Sequence, residues 1–504
     1  MAIVMFIGLI VLTLGITYWA ARQVKNTTDF YAAGRSITGL QNGLAIAGEY
    51  MSAAAFLGIS GLIAFNGIDG FLYSVTWLVA FVFVLLIIAE PVRNTGRYTF
   101  ADIISYRLKE KPIRCSAAFN TLIISLCYMI PQMIAAGILV KLLFGIPSSI
   151  AIIITGSLMT VYVMFGGMIA TTWIQVIKAV LLLIGSFTLA IFTLFHFNFN
   201  LNTLFHSVNQ LDPNLLKPGG LIQSPIDRLS LGIGLLFGTA ALPHILMRFY
   251  TVSSAKKARS SVMWGMTFIG LFQILTPIFG FGALILVGLP AIQKADAGGN
   301  LAAPLLAQMV GGGAGSIGGS FFMAFLSAIA FITIIAVVSG LALAASSAFA
   351  YDFWIRVVRR GKENHKEQLF VSRATALGIG TLSIIVALLL QNVNVAYLTG
   401  LAFAIAATAN LPVLIYSLYW KGLTTTGAIS GMIGGLTIAL AVVLMGPQFA
   451  GENALFPLSN PGLVSIPAGF LITFVVSILS KKEHNSKEIY SEIAVRSQSG
   501  IGAE

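Results

Sequence analysis

Residues 43–65 read GLAIAGEYMSAAAFLGISGLIAF. The stretch is apolar and long enough to cross a bilayer, which takes about 20 residues of helix. Yet Glu49 stands near its middle, between Gly48 and Tyr50-Met51-Ser52. A carboxylate at that depth is costly, and the default reading is functional. The neighbouring glycine lowers helical preference at the same point. A membrane helix that breaks exposes N–H and C=O groups that lipid cannot satisfy, so the break must line a cavity or pack inside protein. Secondary transporters build midplane sites from interrupted helices of this kind. The competing reading is a packing face of small residues around a structural glutamate.

The whole chain supports a membrane setting. Of its 504 residues, 57% are apolar and 9% charged, and the mean hydropathy is +0.92. This is the composition of one all-α polytopic membrane protein with short loops. The net charge of +12 does not point to nucleic acid, because the basic residues flank apolar spans. Cys115 and Cys127, if on one helix, stand roughly 18 Å apart, too far for a disulfide. No Cys/His cluster has metal-ligand spacing, so no zinc site is expected. The N-terminal run lacks a basic region before its apolar stretch and is read as a retained first span, not a signal peptide.

Thirteen apolar spans are expected, at about 2–21, 40–65, 71–91, 115–143, 148–165, 171–195, 229–250, 262–289, 320–348, 373–391, 396–419, 426–446 and 463–480. With the N-terminus outside, the inside loops and tail carry 24 Lys and Arg and the outside loops four: Lys141, Lys217, Arg228 and Lys294. The alternation supports both the count and the direction. Residues 1–480 then form one transporter domain: 1–37 an extra span and loop, 38–419 the core, 420–480 two further spans. The tail 481–504, charged and polar, is expected to be cytoplasmic and disordered.

Residues 196–227, with Pro213, Pro218 and Gly219-Gly220, read as an irregular outside loop. GGGAGSIGG at 311–319 lacks a G-K-[ST], so the segment 291–319 is a loop with at most a short gating helix, not a P-loop. Spans two to six and seven to eleven make two groups of five. An odd group size starts the second from the opposite side, the arithmetic of an inverted repeat. Span seven, GIGLLFGTAALPHILMRFY, matches the first broken span with Gly238-Thr239 and Pro243-His244 in its middle, and Pro243 removes a backbone hydrogen bond.

These residues carry a family resemblance. TDFYAAGR at 28–35 and GGMIATTWIQ at 166–175 resemble segments of the sodium:solute symporter family. AIAGEYMSAAAFLGISG at 45–61 and GTAALPHILMRFYTV at 238–252 resemble its acetate and short-chain monocarboxylate branch, which has an acidic residue at the position of Glu49. The resemblance runs in order over nearly the whole chain. It implies a leucine-transporter-type 5+5 inverted repeat with three extra spans, and secondary active uptake of a small solute driven by sodium. It also implies a sodium site with backbone carbonyls at Gly48 and Met51. The remaining ligands would come from span nine, as one carbonyl and two hydroxyls. Counting back from Asp352 in ASSAFAYDF puts the carbonyl at Thr333 and the hydroxyl positions at Ala336 and Val337. A register shifted by three gives Ala336, Ser339 and Gly340. Either way the hydroxyl set is incomplete. The family's span-six aspartate is replaced by Gln175, with Lys178 one turn later. Glu49 is the obvious partner for Lys178, or takes part in cation or proton coupling; otherwise Lys178 snorkels to the inner surface.

A short carboxylate needs donors at one end and a small apolar pocket at the other. A half-helix starting at Met51-Ser52 points free N–H groups and its positive end into the cavity. Ala53 allows close approach, Tyr50 shapes the pocket, Thr239 offers a hydroxyl, and Tyr128 and Gln132 lie at mid-depth on span four. Arg248 reads as lying near the inner end of span seven, too shallow for a clamp. His244 is either structural or titrating. The expected function is symport of acetate or a related monocarboxylate with sodium. The alternatives are pyruvate, propionate or an amino acid as solute, a proton as coupling ion, or a transporter-like sensor. No enzyme constellation and no cofactor other than the coupling ion is expected. The expected partners are a small organic anion, the coupling cation and lipid, in a bacterial inner membrane.

Overall fold

In the computed structural model the described elements are helices, apart from one isolated backbone bridge between Ile37 and Val252. The structure describes residues 27–503 except 164–166, 363 and 482–485, with isolated positions among the first 26. Most of the expected first span, 2–21, lies outside the described residues. Among the described residues ten helical runs are long and apolar enough to cross a membrane, and Ser148–Val161 is a shorter apolar helix. The run Ala54–Thr95 takes in two expected spans. It turns at Gly67, whose φ of 67° suits glycine and where an added Cβ would stand 1.9 Å from the Leu215 carbonyl oxygen.

A first group of crossings comprises α1 (Gly39–Tyr50) continued by α2 (Ile59–Asn66), then α3 (Phe71–Phe83), α4 (Glu110–Phe144), α5 (Ser148–Val163) and α6 (Met168–Phe195). The second comprises α7 (Pro225–Thr239) continued by α8 (Pro243–Arg248), α9 (Ala255–Gln273) continued by α10 (Thr276–Leu286), α11 (Ile317–Ser347), α12 (His365–Leu389), and α13 (Val395–Ala409) continued by α14 (Leu411–Tyr419). Each group opens with an interrupted helix. Two more crossings, α15 (Thr425–Leu444) and α16 (Gly462–Leu479), follow. In the most apolar 18-residue stretch of the runs containing α11 and α13–α14, 89% and 94% of residues are buried, against 33% in those of α12 and α16. The former pair is central and the latter face lipid.

Residues that the charge alternation assigned to one side meet at one end of the bundle. At the basic end Arg114 pairs with Asp102 at 2.9 Å and also with Asp352, and Arg93 donates to the Val252 carbonyl at 2.7 Å. At the other end Asp69 accepts from the Gly219 and Leu221 amides, and Asp227 from those of Ser459 and Asn460.

Two sequence expectations change and one is sharpened. The loop 196–227 contains a helix, Leu201–Leu211, which buries Leu204 and Val208 one turn apart. The segment 291–319 carries a helix at Ala302–Val310 as well as the end of Leu289–Ala295. The tail, expected to be disordered, forms α17 (Ser486–Ser499). α17 buries Ile493 and exchanges hydrogen bonds with Asn94 through Arg496 and Ser497. Average polarity hid a single buried stripe there.

Candidate functional site

Thr38 and Gln41 form a reciprocal cap that starts α1. The helix ends at Tyr50, and the Ser52 amide turns back to the Tyr50 carbonyl at 2.7 Å. The Gly48 carbonyl thereby loses the donor that a continuous helix would supply four residues on. The chain resumes as a wide helical turn over Ala54–Gly58. The N–H groups at the start of this second half have no partner within the helix. Gly48 is required by a helix crossing: a Cβ there would lie 2.3 Å from the Gln175 carbonyl oxygen on α6. In the second repeat α7 stops at Thr239 and Pro243 starts α8. Asn410 donates to the Ala241 carbonyl in this gap at 3.1 Å and accepts from Asn120 at 3.2 Å.

Glu49 is 1% exposed, as is Arg248, and the Arg248 Nε donates to the Glu49 Oε2 at 2.5 Å. Arg248 also donates to the Thr172 hydroxyl at 3.0 Å. This corrects two expectations. Arg248 is not peripheral: α8 ends deep in the bundle, where its last carbonyl is held by the Asn42 amide and the Thr251 hydroxyl. It, not Lys178, is the ion-pair partner of Glu49.

Lys178 does not snorkel. It is fully buried, and its Nζ donates to the Thr333 carbonyl at 3.1 Å. Gln175 Nε2 donates to the Ala336 carbonyl at 2.9 Å. Thr333 and Ala336 are the span-nine positions expected to face a sodium ion. Their carbonyls meet an ammonium and an amide N–H instead. The Ser339 hydroxyl donates to the Ile335 carbonyl at 2.8 Å. Gly340 is the floor under Glu49, since a Cβ there would stand 2.1 Å from Oε1. Hard cations take several oxygens at once. A cleft with two alkyl side chains, Ala336 and Val337, at the hydroxyl positions and donors aimed at its carbonyls does not fit sodium. Gly48 and Met51 do flank the break, and beside it the Thr333 hydroxyl and the Glu49 Oε1 are the buried oxygens left without a partner, together with Gln175 Oε1.

The expected substrate residues gather on the other face of the break. Tyr50, Ser52, Ala53, Tyr128, Gln132 and Thr239 are all buried. The Tyr50 ring packs edge-on against Trp77 at 5.5 Å and Phe81 at 5.3 Å. Tyr128 adjoins Ser52 and packs against Phe403 at 5.5 Å and His244 at 5.4 Å. Buried side-chain atoms without a partner include both amide atoms of Gln132, the Tyr50 hydroxyl and His244 Nδ1 here, and the Glu49 Oε1, Gln175 Oε1 and Thr333 hydroxyl on the Glu49 side. Buried polar groups are rarely left so. Thr239 is different, because its hydroxyl donates to the Leu235 carbonyl at 3.1 Å.

Trp77 and Phe403 pack against Tyr50 and Tyr128 without having been singled out from the sequence, and Arg248 was set aside there as too shallow. The two aromatic residues sit in uniformly apolar spans and carry no local signal. Arg248 did carry one, since a lone arginine ending an interrupted span invites a search for a buried carboxylate.

The model of the sodium:solute symporter family matches residues 30–435. The chain is 48% identical to a protein of Bacillus subtilis strain 168 described as uncharacterized symporter YwcA, over 100% of this chain and 99% of that one. It is also similar in structure to a sodium-coupled sialic acid symporter, with a TM-score of 0.76, 16% identity, and 95% and 98% of the two chains covered. That likeness bears out the leucine-transporter-type fold. The molecule is a transporter and not an enzyme.

Proposed function

The chain belongs to the sodium:solute symporter family, and from that premise we propose that it takes up acetate or a related short-chain monocarboxylate together with a cation. The unpartnered Gln132 amide, buried beside the break, carries this reading. With the Tyr50 hydroxyl and the fresh helix start after Ser52, it offers donors to one carboxylate. The Trp77, Phe81 and Phe403 rings supply the short apolar wall for a methyl or ethyl group. Arg248 is committed to Glu49, so the anion is held by neutral donors and the helix end.

Sodium is the coupling ion that family membership implies; the proton is the alternative. The charge alternation supports an outside N-terminus and a cytoplasmic C-terminus in a cell membrane, bacterial as in the Bacillus relative. Residues 1–480 act as one transporter domain with its core at 38–419. Pyruvate, propionate or a small amino acid is the second class of solute. Uptake of labelled acetate into proteoliposomes, with sodium and proton gradients imposed separately, tests this reading. Accumulation that unlabelled propionate competes away is the expected result. Failure of every short carboxylate to compete removes the substrate assignment.

A further inference from the structure

The cleft between the first break and α11 is built for a positive charge. The Gly48 carbonyl is released by the break, the Thr333 and Ala336 carbonyls accept from α6, and the Glu49 Oε1, the Gln175 Oε1 and the Thr333 hydroxyl are buried without a partner. A basic side chain already reaches it. The Lys178 side chain is fully buried and donates to one of those carbonyls.

We propose that the Lys178 ammonium is the resident cation of this cleft and holds it against sodium. Glu49 on α1 and Arg248 on α8 are the charged groups that face it. The facing spans α10 and α11 contain no titratable residue at all. One carboxylate between two buried cations leaves no spare negative charge for a third. Two unit charges about 4 Å apart, at the effective dielectric of a protein, weaken binding on the order of a thousandfold. The missing hydroxyls follow from the same arrangement. An ammonium satisfies carbonyls by donating N–H bonds, whereas sodium would need further oxygens where Ala336 and Val337 stand. Both residues lie on the α11 face that carries the two carbonyls, since positions 333, 336, 337 and 340 fall within roughly 100° of one another. The substitutions on α6 and α11 therefore make one exchange: a tethered cation for a soluble one, with the hydroxyls no longer needed.

The inference concerns the coupling half of the proposed function and not the solute. It is tested without substrate, so its failure is distinct from failure of the acetate reading. The full chain, purified in detergent, is unfolded thermally while sodium chloride replaces choline chloride at constant ionic strength. Wild type is expected to show no saturable sodium-specific shift. Lys178→Ala combined with Ala336→Ser and Val337→Ser is expected to gain one, with a half-saturating sodium concentration at least about tenfold below any wild-type response. Should that variant not fold, Lys178→Gln alone removes the charge and is expected to increase sodium sensitivity in the same direction. Saturable stabilisation of wild type by sodium, unchanged in Lys178→Gln, would overturn the proposal.

Discussion

The two faces of the break at Met51-Ser52 are built from adjacent residues and treat their polar groups in opposite ways. On the Glu49 face the donors are committed within the chain: Arg248 to Glu49 and Thr172, Lys178 to Thr333, Gln175 to Ala336. What stays unpartnered there is oxygen, at Glu49 Oε1, Gln175 Oε1 and the Thr333 hydroxyl, whereas on the Tyr50 face buried donors wait unpartnered among aromatic rings, as at Gln132 and Tyr50. A closed network fixes geometry and resists ligands, because a newcomer must displace bonds already made. An open set of buried groups is destabilising until something arrives to satisfy it. The chain therefore commits its charged donors within the bundle, and the anion site proposed above lies on the face where donors remain free.

The largest expected effect falls on the closed face. Arg248→Met leaves the buried Glu49 carboxylate without its hydrogen-bonded ion-pair partner, and should cost about 3–5 kcal/mol and abolish uptake. The double variant Glu49→Gln, Arg248→Met should recover much of that stability in thermal unfolding. If Arg248→Met alone unfolds like wild type, the network is not closed around this pair. Gly48→Ala comes next. Its Cβ meets a backbone oxygen at 2.3 Å, and parting α1 from α6 should cost about 1–3 kcal/mol, read by the same melt.

On the open face the effects should move to affinity. Gln132→Ala removes donors that no residue uses, so thermal stability should hold. The half-saturating acetate concentration should rise about fivefold to tenfold, the worth of roughly one hydrogen bond at ~1 kcal/mol. A loss of stability without a change in acetate affinity would show that Gln132 is structural. The smallest effect is expected for Thr239→Val. Its hydroxyl donates to Leu235 in its own helix, so acetate affinity should change by less than about twofold.

Much of this was legible in the sequence because membrane insertion writes its rules locally. Glu49 beside Gly48 marked the first break, and Gly238 with Pro243 the second. Residues that the Lys and Arg alternation put on one side meet, as Arg114 with Asp352 and Arg93 with Val252, though Arg248, counted with them, lies deep in the bundle. What was not legible depends on which side chains meet across the bundle. Arg248 looked peripheral when counted along its span, because the break at Ala240–Leu242 and the stop after Arg248 change its depth. The exchange of Lys178 for hydroxyls on α11 could be suspected from Gln175, Lys178, Ala336 and Val337, but only the carbonyl contacts show that these positions face one another. Trp77 and Phe403 are two aromatics among many, and nothing local distinguishes them.

The division of the break into two faces is tested most directly by measuring acetate affinity and sodium response side by side in Gln132→Ala and Lys178→Gln. The account predicts that Gln132→Ala weakens acetate binding and leaves the sodium response of wild type, while Lys178→Gln gains a sodium response and binds acetate within about twofold of wild type. Variants that each shift both quantities together would contradict it.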